Sequence, residues 1–201
     1  MDKKAFYKLT YGLFLLTARE EGRDNGCIIN TAIQVANDPA RISIAVLKGN
    51  YTHDMILRTG IFTVSSLSTS AGFGLFQRFG MQSGREVDKF EGFPDVERGE
   101  NDLYYLTKGA NMAMSGKVVE QLDLGSHTLF IAEVTDAVVL SDEPSCTYAY
   151  YQSDIKPQKQ EEKKKGWVCT VCGYVYEGDP LPADFICPWC KHGAEDFVRQ
   201  T

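Results

Sequence analysis

Six of the 201 residues are cysteines, and four of them form two pairs of identical spacing near the C-terminus. Cys169 and Cys172 make one C-x-x-C pair, Cys187 and Cys190 the other, with 14 residues between the pairs. This spacing lets a tight backbone knuckle present both thiolates on one side. Two knuckles facing each other give a tetrahedral four-sulfur site, which suits zinc or a single iron. Spacing alone does not choose between the two metals. Gly173 supplies conformational freedom just after the first knuckle, and Pro188 stiffens the second. The competing use of these cysteines is two disulfides, which are rare in the cytosol that the rest of the chain suggests. Cys27 and Cys146 stand apart among apolar or small neighbours and are expected to be buried small side chains.

Other chemistry is sparsely represented. The histidines are His53, His127 and His192, and no Ser-His-Asp order, Walker loop or G-x-G-x-x-G is present. Acid–base hydrolysis is therefore poorly supported, and a redox cofactor ahead of the sulfur site is the better expectation. Formal net charge is -6, which argues against nucleic acid as a partner, since that needs a basic footprint. From residue 166 on, Lys191 and Arg199 face Glu177, Asp179, Asp184, Glu195 and Asp196, a balance of 2 minus 5, or -3. An acidic face around a redox centre can steer a basic patch on a partner. No apolar run approaches the roughly 18 residues of a membrane span, so no membrane role is expected. The apolar patch near the N-terminus contains Lys8 and reads as folded protein, not a signal peptide, so the cytoplasm is the default expectation.

The elements that must hold these residues are mostly short strands. Strands are expected near 13–18, 27–35, 42–47, 61–67, 112–124, 127–134 and 137–141, with 148–152 as a last strand or the exit from the domain. Asn25-Gly26 reads as a hairpin turn. A helix is expected from about residue 51, with Thr52 or Asp54 as N-cap and Gly60 as its stop, and a second over 70–79. Short strands at close spacing suggest a β-barrel or sandwich. Residues 154–165 are polar and highly charged and read as a linker. The division is thus 1–153 for the larger domain, 154–165 for the linker and 166–201 for the metal domain. A unit of roughly 35 residues is too small to fold on apolar burial alone, so the metal would be its main staple. Trp167, Tyr174, Tyr176, Phe185, Trp189 and Phe197 are expected to pack around it.

Three polar clusters interrupt the apolar strands: 25–31, 48–53 and 79–85. Each combines Gly with hydroxyl or amide side chains. Such loops offer backbone N–H groups to an anion, and a helix opening near Thr52 adds the positive end of its dipole. Lys48 and Arg85 supply charge.

These motifs resemble known families. Cys-x-x-Cys-Gly173-Tyr174-x-Tyr176, then Gly178-Asp179-Pro180 and Cys187-Pro188-x-Cys190, resembles rubredoxin in its shortened form, with Lys191 where many rubredoxins carry a second glycine. That resemblance implies one iron held by Cys169, Cys172, Cys187 and Cys190. Residues 1 to about 153 resemble the flavin reductase-like, FMN-binding split-barrel proteins. Gly26-x-x-x-Asn30-Thr31 followed by Asp38-Pro39 is similar to the strand–loop along the isoalloxazine ring. Lys48-x-Asn50-Tyr51-Thr52 is similar to the segment that takes the ribityl and phosphate groups. Phe79, Ser83, Gly84 and Arg85 in the third cluster complete the expected FMN contacts. Gly125-Ser126-His127-Thr128-Leu129-Phe130, ending in Val134, resembles the family's run near flavin and nicotinamide. His127 is thereby the expected catalytic residue, while Ser126 and Ala132 depart from the run.

The whole arrangement resembles the high-molecular-weight rubredoxins. It implies a mainly β fold, an FMN-binding split β-barrel followed by a small rubredoxin-like metal-knuckle domain. It implies NADH or NADPH as donor, FMN and an Fe(Cys)4 centre as cofactors, a homodimer formed through the barrel, and a flavodiiron protein that reduces oxygen or nitric oxide as acceptor. Two other readings compete: a free-flavin or ferric reductase with a structural zinc ribbon, and a protein-binding β-barrel adaptor with a zinc ribbon.

Overall fold

The computed structural model describes residues 1–157 and 166–200. After a 3-10 turn at Lys3–Lys8 come β1 (Phe14–Glu20), β2 (Arg23–Ile29), β3 (Ile33–Asn37), β4 (Ala40–Leu47), α1 (Tyr51–Thr59), β5 (Ile61–Leu67) and α2 (Phe73–Gly80). Next are β6 (Val96–Arg98), β7 (Tyr104–Leu106), β8 (Ala110–Asp123) and β9 (His127–Val139). A short helical turn α3 (Tyr148–Tyr150) runs into a π-turn at Tyr151–Ile155, and the tail adds β10 (Gly166–Cys169), β11 (Val175–Tyr176) and β12 (Phe197–Gln200).

Seven strands form one sheet in the order β2-β1-β5-β8-β9-β4-β3. Its two edges, β2 and β3, are consecutive in the chain and joined only through residues 30–32. A flat sheet of this width would hold its edges about 29 Å apart, at roughly 4.8 Å per strand. The short link reaches only about 14 Å fully extended, so the sheet must curl until its edges approach. The product is a split barrel.

Alternation along the strands divides the apolar side chains between two cores. Leu16, Ala18, Ile44, Val46, Phe62, Val64 and Phe130 pack in the first, closed by Met55 and Ile56 of α1. Leu13, Leu15, Leu67 and Leu106 face the second, which is covered by Phe76 and Phe79 of α2 and by Tyr151. Among the described residues no helix is long and apolar enough to cross a membrane.

Several sequence expectations are corrected here. The first hairpin reverses at Glu21 and Gly22, both left-handed (φ 49° and 82°), and Asn25-Gly26 lies inside β2. The Asn-Gly signal misled because Asn25 is buried and held by a tertiary hydrogen bond to Thr52. Residues 27–35 are not one strand, because the chain changes sheet edge between β2 and β3. The two strands expected over 127–141 are the single β9, whose polar Thr135-Asp136 sits where β9 pairs with β8 around a bulge at Ser115/Gly116. The N-cap of α1 is Asn50, whose side chain makes no capping bond, and Gly60 ends the helix at φ 70° with its N–H on the Ile56 carbonyl. Residues 148–152 are helical, with Thr147 Oγ1 accepting from the Tyr150 N–H. Ile155, at the start of the expected linker, packs against the second core. Residues 158–165 of that linker lie outside the described residues.

The tail is a three-stranded sheet, β11-β10-β12, wrapped around its sulfurs. All six expected aromatics take part: Phe197 is buried with the four cysteines, and Trp167, Tyr174, Tyr176, Phe185 and Trp189 pack around them.

Candidate metal centre and flavin site

The two cysteine knuckles are one hydrogen-bonded turn made twice. The Cys169 N–H donates to the Tyr174 carbonyl at 2.9 Å and the Cys187 N–H to the His192 carbonyl at 2.8 Å. In return, Gly173 N–H reaches the Cys169 carbonyl and Lys191 N–H the Cys187 carbonyl, each at 2.9 Å. Gly173 and Lys191 occupy the same left-handed position, at φ 81° and 65°. Lysine pays roughly 1–2 kcal/mol of steric strain there, but the knuckle's hydrogen bonds are intact. The expected departure at Lys191 therefore leaves the turn unchanged.

The turns bring all four sulfurs within 4.8 Å of one another, and all four cysteines are buried. Cys169 and Cys190 Sγ are 3.6 Å apart, and Cys172 and Cys187 Sγ 3.5 Å. A tetrahedral metal with bonds to sulfur of about 2.3 Å needs edges of roughly 3.8 Å, so the cage fits a single ion. Burial pushes the Cys172 thiol far up and the Cys190 thiol up to about 12. Burial acts on Cys187 too, yet the N–H groups of Cys190 and Trp189 and the neighbouring thiols bring it below the usual value. The Tyr174 and His192 N–H groups serve Cys172 and Cys190 in the same way. These donors stabilise thiolates, and a cation at the centre balances the charge that burial alone opposes.

The second site gathers at the start of α1. Asn25 is buried, and its Nδ2 donates to Thr52 Oγ1 at 3.0 Å. Its Oδ1 is buried without a partner. A Cβ on Gly84 would lie 2.0 Å from that oxygen, so any larger residue would force Asn25 or the loop to move. Arg85 and Arg23 lie over the Tyr51 ring at 4.9 and 5.0 Å. Arg23 also donates to the Gly84 carbonyl, and Arg85 pairs with Asp54. Hydrogen bonding from His53 holds the Asp54 carboxyl below its usual range; burial opposes this and Arg85 reinforces it. His53 is buried, with Nδ1 3.0 Å from Asp54 and Nε2 2.9 Å from Thr128 Oγ1. Two guanidinium groups, an uncapped helix start and an orphaned amide oxygen suit an anionic ligand rich in hydrogen-bonding groups. The phosphate and ribityl chain of FMN is such a ligand.

On the neighbouring side, Gly26 approaches α2 closely: a Cβ there would meet Phe79 Cδ1 at 3.3 Å. Buried Lys89 ties the two together, its Nζ donating to the Gly26 carbonyl at 2.9 Å and the Phe79 carbonyl at 3.2 Å. Burial pushes this ammonium down to about 8.

The other expected residues are distributed more widely. The Thr31 hydroxyl is engaged with β4, donating to the Ala45 carbonyl at 2.8 Å and accepting from its N–H at 3.2 Å. Asn30 is half-buried at the corner between β2 and β3. Lys48 pairs with Asp123 at 2.7 Å, and its N–H reaches the Ser126 carbonyl. His127 is half-buried, with Nδ1 2.9 Å from Ser126 Oγ, on the face of β9 opposite Thr128. The structure therefore joins Asn50, Tyr51, Thr52, Gly84 and Arg85, sets Gly26 against Phe79, and places Lys48 and His127 just ahead of α1, at the Leu47–His127 end of the β4–β9 pair. Sequence reasoning placed Asn25 and His53 in its polar clusters without giving either a role, and missed Arg23 and Lys89. Asn25 was hidden by its turn-like pairing with Gly26, and an isolated Lys carries no periodic signal.

The flavin reductase-like domain family matches residues 6–159, and the rubrerythrin, rubredoxin-like domain matches 167–198. The high molecular weight rubredoxin of Moorella thermoacetica is 35% identical over 229 residues, covering 99% of this chain and 100% of its own. A ferric-chelate reductase (NAD(P)H) of Archaeoglobus fulgidus is 38% identical over 75% of this chain and 89% of its own. The crystal structure of an FMN-binding protein from Thermus thermophilus matches the barrel with a TM-score of 0.61 at 24% identity, over 67% of this chain and 74% of that one. This chain belongs to the high-molecular-weight rubredoxins, a flavin reductase-like split barrel joined to a rubredoxin-like domain. It is an NAD(P)H-dependent flavin oxidoreductase, with FMN and iron as cofactors.

Proposed function

We propose that this protein takes reducing equivalents from NAD(P)H and delivers them singly, through its four-cysteine iron, to a flavodiiron protein that reduces oxygen or nitric oxide. Bound FMN supplies the step from two-electron hydride chemistry to one-electron chemistry, and the iron supplies a one-electron carrier. In this reading Arg23, Arg85 and the first N–H groups of α1 hold the phosphate. Asn25 offers its free oxygen to the ribityl hydroxyls, and Gly26 and Gly84 keep the backbone close enough for the ring to lie along β2. Thr31 and Thr52 act from behind, fixing the strands whose edges the ligand meets. Cys169, Cys172, Cys187 and Cys190 hold the iron, and the N–H groups on their sulfurs tune it. His127 and Lys48, at the end of β9 and β4, are assigned to the nicotinamide side.

The observation that carries this reading is that one chain holds both a buried four-sulfur cage and, at the start of α1, two guanidinium groups close to a buried, unpartnered amide oxygen. A homodimer is supported by large exposed apolar side chains, Ile33, Val35, Leu122 and Val139, on β3, β8 and β9. The acidic tail supports a basic docking patch on the acceptor, and six cysteines without a disulfide support the cytoplasm. The likeness of the barrel to a ferric-chelate reductase favours ferric complexes as a second substrate class. Purified protein should contain one iron and one FMN per chain, and Cys169→Ser should lose the ferric–thiolate absorbance while keeping FMN. Zinc in the purified tail would overturn the electron-carrier role.

A further inference from the structure

Among the described residues, the tail packs on the barrel along a narrow stripe of α2. Trp189, between the cysteines of the second knuckle, lies edge-on to Phe73, with ring centroids 5.8 Å apart at 76°. Gln77 Nε2 reaches the Trp189 carbonyl at 3.5 Å. Met81 joins the tail's own core cluster. Phe73, Gln77 and Met81 are four residues apart in turn, which puts them on one face of α2 and its C-cap. Beyond it, Ser83 and Glu86 line a cleft of about 490 Å³ together with Ile186 and Lys191 of the tail. The opposite face of α2 is the one that carries Phe79 and its tie through Lys89 to Gly26. α2 and the edge strand β2 on which it packs thus lie between the second knuckle and the Asn25–Thr52 cradle.

The two knuckles share a backbone but not an environment. Cys190, beneath Trp189, is 1% exposed, whereas its counterpart Cys172 is 8% exposed beside Val171 at 46%.

We propose that the outer face of α2 is a docking seat for the protein's own metal domain, and that electrons enter the iron through the seated second knuckle and leave through the exposed first one. This rests on the electron-transfer reading above. Each NAD(P)H yields two electrons and one proton, and each ferric centre takes one electron. Two ferric-to-ferrous events therefore balance one NAD(P)H, with the proton released to water. The tether makes seating an intramolecular event at high effective concentration, and the aromatic pair Phe73–Trp189 anchors it. An acceptor meeting Val171 and Cys172 does not compete with the seat.

The test uses the intact, FMN- and iron-loaded protein. With the photo-crosslinker benzoylphenylalanine in place of Gln77, mass spectrometry should find the crosslink in the peptide containing Trp189. In anaerobic stopped flow, Phe73→Glu should leave reduction of the flavin band by NADH unchanged and slow bleaching of the ferric–thiolate band by about tenfold or more. Phe73→Tyr should restore it, and Phe73→Ala replaces the glutamate variant if that one loses FMN or iron. Val171→Lys should leave bleaching unchanged and slow discharge of prereduced protein to the basic cytochrome c; discharge as fast as in the wild type overturns the exit through the first knuckle. A wild-type centre that NADH never bleaches overturns the electron-transfer reading. A wild-type centre that bleaches, with Phe73→Glu bleaching equally fast or the crosslink falling elsewhere, overturns the seat alone.

Discussion

At the scale of single residues, the site depends on groups that perform no chemistry themselves. Lys89 is 4% exposed and holds two carbonyls from two elements. Burial is the main cause that brings its ammonium down to about 8 from 10.5, with a smaller opposing influence from Cys27. Its folded value lies below its unfolded one, so between about pH 8 and 10.5 the unfolded chain binds the extra proton. Stability from this group therefore rises with pH across that window and is least below it, a difference on the order of 3 kcal/mol. Denaturation midpoints measured from pH 7 to 10 should show this rise in the wild type and a flatter profile in Lys89→Met. Equal slopes in the two proteins would remove Lys89 from the account of the core. Cys27 and Cys146 are both buried small side chains, with burial pushing the Cys146 thiol up to about 11.

At the scale of elements, local signals were legible in the sequence and long-range ones were not. The cysteine knuckles, the αL stop at Gly60 and the apolar runs of β4 and β5 are encoded within a few residues, and all are found. The position of the first hairpin turn was misread because Asn25 and Gly26 look like a turn but are recruited into β2 by Thr52 and Phe79, far along the chain. The length of β9 was misread because Thr135-Asp136 looks like a break until its pairing with β8 is known. Within the candidate site, the loop after α2 is the most constrained piece. Gly84→Ala puts a methyl 2.0 Å from Asn25 Oδ1, so Asn25 or the loop must move. FMN affinity measured by fluorescence should fall by about tenfold or more, equivalent to roughly 1.4 kcal/mol, with iron content unchanged. An alanine variant that binds FMN normally would show that this loop does not shape the cradle.

At the scale of the whole molecule, two bodies of unequal means share one helix. The barrel has two apolar cores and should hold its fold without metal. Among the described residues the tail's cluster buries its four cysteines and Phe197, too little to fold a unit of this size without its ion. Removing iron with a strong chelator after reduction should abolish the tail's near-ultraviolet signal from Trp167 and Trp189 and leave the FMN in place. Loss of FMN along with iron would mean that the barrel is not self-sufficient. The central claim, that one chain passes electrons from flavin to iron, is tested most directly by anaerobic titration with NADH, watched at the flavin and ferric–thiolate bands. Two electrons for the flavin and one for the iron require roughly 1.5 equivalents of NADH per chain for both bands to bleach fully. Bleaching of the flavin band alone, complete at about one equivalent with the ferric–thiolate band untouched, would contradict it.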